Sequence, residues 1–167
     1  MSKESVLKQM KFIRERTIAL LDATSEELAD EMPKGFRNNL RWQFGHIATS
    51  QENLIGYFLG LENTLPKSFT ELFNRGTSPA DWNQDVPTLV EIKALLKEQY
   101  ERMLSLSTGR LEEEGSPLIL GPEYKYETLA EAIDFTNFHE ALHQGNIISL
   151  KRALGVEDLW AVEETSK

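Results

Sequence analysis

The chain reads as an all-α protein, a four-helix bundle with a long crossover connection. Three observations lead there. Four long stretches carry apolar residues at alternating spacings of three and four, the period of a helix with one buried face. Three of them start or stop at residues suited to cap a helix. No set of alternating stretches suggests a sheet: Leu118, Ile119 and Leu120 read as one brief extended piece, and one piece makes no sheet.

The first helix is expected over about 4 to 22, with Val6, Met10, Ile13, Thr17 and Leu20 on one seam. Thr24 with Glu27 starts a further short turn of helix, ended by Pro33 and Gly35. The second long helix runs from about 39 to 59, with Asn38 as cap and Gly60 as stop. Its core stripe is Leu40, Phe44, Ile47, Leu54 and Phe58. A neighbouring stripe, Trp42, His46, Thr49, Asn53 and Gly56, turns polar in its middle. The connector from about 61 to 88 is long enough to cross the bundle, so the helices it joins need not be antiparallel neighbours. Within it Ser68 and Glu71 suggest a short helix through Phe73, and Trp82 is expected to pin the loop to the body.

Thr88 and Glu91 form a capping box for the third helix, which ends near Gly109 and buries Leu89, Ile92, Leu96 and Met103. After a link over 109 to 127, Thr128 and Glu131 form a second capping box. The fourth helix then continues to Ala153, with Lys151 and Arg152 in its last turn and Gly155 as its stop. Its seam reads Leu129, Ala132, Thr136, His139, His143, Asn146, Leu150 and Ala153. The acidic end VEETSK is expected to fray.

With 167 residues the chain suits one domain, 1–167, with an ordered core over about 3–160. A net charge of −9, with basic residues scattered among acids, works against binding nucleic acid or an anionic membrane surface. No apolar run approaches the length of a membrane span, and MSKESVLKQM lacks the apolar region of a secretory signal. The chain has no cysteine, hence neither a disulfide framework nor a thiolate metal site. The expected compartment is the cytoplasm, with a small-molecule substrate and homodimer formation left open.

The chemistry gathers where two interior seams turn polar at the same depth. The chain has only three histidines, and all of them fall on these seams: His46 on the second helix, His139 and His143 four residues apart on the fourth. Trp42, Thr49, Asn53, Thr136 and Asn146 are the candidate lining residues of the polar cavity this arrangement predicts. An unpartnered buried polar group costs about 1–3 kcal/mol, and a divalent cation shared by three imidazoles removes that problem. Neutral imidazole is a strong ligand for zinc, nickel, copper or iron, and three protein ligands leave a coordination position for water or substrate. The string His139-Glu140-Ala141-Leu142-His143 also matches H-E-x-x-H, in which Glu140 would be the base for a metal-assisted hydrolysis. No H-x-x-G-x-x-H extension follows, and a solvated helix-face carboxylate is the plainer reading of Glu140.

At these residues the chain resembles the DinB/YfiT-like superfamily of metalloenzymes, four-helix bundles with a histidine triad. The matching stretches are RWQFGHI on the second helix and FHEALHQGNIISLKRALG on the fourth, where Asn146 stands in place of the family's usual Gln. The resemblance implies His46, His139 and His143 as ligands of zinc or nickel, with water completing the shell. Some relatives transfer bacillithiol, mycothiol or glutathione, so the leading expectation is a metal-dependent low-molecular-weight thiol S-transferase. The alternatives are a metal-dependent hydrolase with Glu140 as base and a non-catalytic metal- or ligand-binding stress protein. Having no Cys of its own, a transferase of this kind must import the thiol as cosubstrate.

Overall fold

The computed structural model describes residues 4–162. The four expected helices are α1 (Glu4–Asp22), α3 (Leu40–Leu59), α5 (Leu89–Ser107) and α6 (Leu129–Ala153). Two short helices lie between them, α2 (Glu26–Asp30) and α4 (Lys67–Phe73). Of the VEETSK end, residues 163–167 fall outside the described part, as does residue 3 at the expected start of the core.

Both capping boxes are formed: Thr88 and Thr128 each accept from the backbone of a Glu three residues on, and each Glu reaches back. Two other caps differ by one residue from expectation. Asn39, not Asn38, accepts from the Trp42 backbone N–H, and Ser25, not Thr24, caps α2. Thr24 instead donates its hydroxyl to the Leu20 carbonyl at the end of α1.

α6 packs against α1 on one side and α3 on the other, and α5 packs against both α1 and α3. Two apolar clusters give the directions. One joins Leu20 and Leu21 of α1, Leu40 to Ala48 of α3, Leu89 to Leu96 of α5, and Ile147 and Leu150 of α6. The other joins Val6, Met10, Ile55, Phe58, Met103, Leu129 and Ile133. The N-terminal halves of α1 and α6 thus share one end with the C-terminal halves of α3 and α5. α3 and α5 are parallel neighbours, and the chain between them must run the length of the bundle. That connection carries α4, which lies on α3. The outer face of α3 is thereby covered, and every residue from Leu40 to Thr49 is buried.

The link between α5 and α6 corrects the sequence reading. It folds as an antiparallel hairpin of β1 (Glu114–Gly121) and β2 (Tyr124–Thr128), turned at Pro122 and Glu123. Leu118 does have an extended partner, Tyr126. The hairpin caps the second cluster, with Leu118 buried against it. It comes so close to α3 that a β-carbon on Gly115 would lie 2.3 Å from the Phe58 carbonyl oxygen.

The interior face of α6 is broader than the expected seam because two helices cover it. Ala130, Ile133, Asn137, Glu140, Gln144, Ile147 and Lys151 are buried beside the seam residues, while Asn146 and Ala153 are exposed. Lys151 has no exposed surface. Its ammonium donates to the carbonyls of Leu20 (3.3 Å) and Ala23 (2.5 Å) at the end of α1, and to that of Leu159 (3.0 Å) beyond α6. A cation at a helix C-terminus satisfies carbonyls that have no partner within the helix.

Candidate metal centre

Between the two apolar clusters the bundle is polar. Arg14 of α1, which the seam pattern passed over, is buried there and reaches three other helices. Its guanidinium makes a two-pronged ion pair with Glu140, Nε to Oε1 and Nη2 to Oε2, both 2.9 Å. It also donates to the Leu96 carbonyl and to Gln51. Thr17 adds a 2.6 Å hydrogen bond to Glu140 Oε1. Gln99 donates to the Ala48 carbonyl and to Glu52, which also pairs with Arg102. Among the described residues, every buried side-chain nitrogen and oxygen has a partner. The polar middle expected as a cavity is thus filled in large part by this network, and Glu140 faces Arg14 rather than solvent.

The three histidines meet on the α3–α6 side of this layer. One nitrogen of each of His46, His139 and His143 lies within 4.8 Å of the other two. His46 and His143 are buried and His139 is half-buried. The ring centroids are 4.5 to 5.3 Å apart. Burial and mutual repulsion keep the rings neutral. His143 is lowered to about 3, by burial first and then by its two histidine neighbours. His139 is lowered to about 4, again by burial first and then by His46. Burial also lowers His46.

Two carbonyls set which nitrogen each ring has free. His46 Nδ1 donates to the main-chain carbonyl of Phe73, the last residue of α4, at 2.7 Å. His143 Nδ1 donates to Gln43 Oε1 at 2.6 Å. A proton held on Nδ1 leaves the Nε2 lone pair for a ligand bond, the arrangement metal-binding histidines ordinarily show. Three neutral imidazoles, two with their tautomer set by carbonyl acceptors, fit a divalent transition ion, and the cluster can hold one.

Gly45 makes this possible on the α3 side. A β-carbon there would lie 2.5 Å from the Phe73 ring, so only glycine lets α4 come close enough for its carbonyl to reach His46. Trp42 stacks on His46 with centroids 4.4 Å apart and planes 11° from parallel, and its indole N–H donates to Thr77.

The other expected lining residues lie as follows. Thr49 and Thr136 are buried and donate to backbone carbonyls of their own helices, Gly45 and Ile133. Asn53 is half-buried and accepts from Asn63. Asn146 is at the surface because its position on α6 falls outside the faces covered by α1 and α3. Gln43 and Ser50, which touch the histidines directly, were not among the expected residues. Ser50 was readable from its place one turn after His46, and Gln43 only once α3 and α6 face each other.

No helix among the described residues is long and apolar enough to cross a membrane. No curated protein matches the chain. A family model described as the DinB superfamily matches residues 9–147, a span that includes all three histidines. The chain belongs to the DinB superfamily.

Proposed function

We propose that this is a single-domain, cytoplasmic metalloenzyme that transfers a low-molecular-weight thiol to an electrophilic small molecule. The observation that carries the reading is the donor set: three neutral imidazoles from two helices, two of them with Nδ1 committed to carbonyl oxygens. A zinc or nickel ion bound there would lower the pKa of a coordinated thiol enough to make it a thiolate. The chain's own part is to hold the rings neutral and oriented. Gln43 and the Phe73 carbonyl keep the protons on Nδ1, and Trp42 covers one face of His46. The thiol comes from solution, since the chain has no cysteine.

Hydrolysis with Glu140 as base has less support. Both Glu140 oxygens accept from Arg14, and one also from Thr17. The carboxylate is thus turned to donors on α1 and taken up by them. We assign Glu140 to holding α1 against α6.

The test is metal analysis of the purified protein, followed by conjugation assays. About one transition ion per chain is expected, and conjugate should form with one of bacillithiol, mycothiol or glutathione and a generic electrophile. His143→Ala should lose both the metal and the conjugation. Conjugation at full rate by His143→Ala would refute the reading. A stability gain on adding metal or thiol with no turnover would favour a binding protein instead.

A further inference from the structure

Ser50 stands one turn beyond His46 on α3, half-buried, with its Oγ 3.1 Å from His46 Nε2. Since His46 Nδ1 donates to Phe73, Nε2 carries the lone pair, and the Ser50 hydroxyl is the donor to it. This is the same lone pair that a metal ion would use. We propose that Ser50 is a fourth polar group of the metal centre, sharing His46 Nε2 with the ion and standing beside the ligand that completes the ion's shell. The inference rests on the metal reading above and adds a residue that no motif points to.

The physical argument is short. One lone pair accepts either a hydrogen bond or a metal bond, so an ion on Nε2 would replace the Ser50 hydrogen bond, the hydroxyl keeping its proton. The freed hydroxyl, 3.1 Å from that nitrogen, would remain close to an ion held there and to a water or thiol bound with it. The Thr49 hydroxyl, next in sequence, is committed to the Gly45 carbonyl and cannot take that part.

Cobalt(II) is the probe, because a thiolate bound to it gives a charge-transfer band in the near ultraviolet. The chain has no cysteine, so such a band can come only from one that is introduced. In Ser50→Cys the thiol should lose its proton and bind the ion. That variant should show the band and hold cobalt at least tenfold more tightly than wild type. Wild type should bind cobalt without the band. Ser105→Cys, at an exposed position on α5, should behave as wild type. Ser50→Ala, with its competing hydrogen bond gone, should bind cobalt about two- to tenfold more tightly. Cobalt bound by Ser50→Cys without the band would overturn the placing of Ser50 and leave the triad standing. Unchanged or weaker binding by Ser50→Ala would overturn the sharing of the lone pair. Failure of wild type to bind cobalt at all would remove the metal reading, and this inference with it.

Discussion

Gly45 and Phe73 meet with no room between them: a β-carbon on the glycine would fall 2.5 Å from the phenyl ring. The ring has no exposed surface and packs edge-on against Trp82, 5.7 Å between centroids, so it has little freedom to retreat. Gly45→Ala should therefore push α4 off α3 and carry the Phe73 carbonyl away from His46. We expect a loss of about 1–3 kcal/mol in stability, the usual cost of overpacking a core, together with weaker metal binding. Denaturant unfolding and metal competition read the two effects. A Gly45→Ala protein with wild-type affinity would show that the Phe73 carbonyl does not orient His46.

Gln43 reaches from α3 to the ring of His143 on α6. Gln43→Leu keeps the volume and removes the acceptor. Metal affinity should fall about 10- to 100-fold, the usual loss when the group orienting a ligand histidine is removed. Gln43→Glu retains an acceptor oxygen and should keep most of the affinity. Equal affinities in the two variants would mean that packing, not the hydrogen bond, is what matters at this position.

Arg14 and Glu140 predict a different kind of loss. Arg14→Met leaves a carboxylate buried without its cation and should cost about 3–5 kcal/mol. Adding Glu140→Gln to that variant should recover part of it, because the uncompensated charge is gone. Glu140→Gln alone should destabilise the protein yet change conjugation by only a few-fold at matched metal occupancy. Loss of a general base typically costs 10²–10⁴-fold, and a loss of that size would return Glu140 to the chemistry.

Acid should destabilise the protein in the presence of a chelator, which keeps the three histidines free of any metal. His139 lies near 4 and His143 near 3 in the fold, against an ordinary value of 6.5 that applies in the unfolded chain. Below about pH 6.5 the unfolded chain takes up protons that the fold refuses, so stability falls as pH falls and the dependence ends near pH 3. The window from pH 6.5 to 5 is the most telling, since ordinary carboxylates scarcely titrate there. The urea midpoint should drop across it in wild type and much less in a variant with Gln at both positions. A flat wild-type profile would mean that the rings are not held neutral.

The helices and the histidines were legible because their signals are local. Capping boxes, three-four spacing and a histidine pair one turn apart all lie within a few residues of one another. The hairpin was missed because Gly115, Pro117 and Gly121 interrupt its first strand, and because its second strand, Tyr124–Thr128, is too polar to stand out. Arg14 was missed for another reason. An arginine beside a seam reads as solvated, and only Glu140, 126 residues away, makes its burial intelligible. Gln43 and the Phe73 carbonyl depend likewise on which helices become neighbours. A backbone carbonyl leaves no mark in a sequence at all.

Lys151 has a consequence for reagents. Its amine meets no water and is held by three carbonyls from two parts of the chain. Burial lowers its pKa to about 8, which alone would make it one of the more reactive lysines in the protein. Enclosure has the opposite effect: an acylating reagent can reach the nitrogen only when the chain around these three carbonyls opens. The time course of labelling at this one amine therefore clocks the opening of that end of the bundle, while the surface lysines report only the reagent.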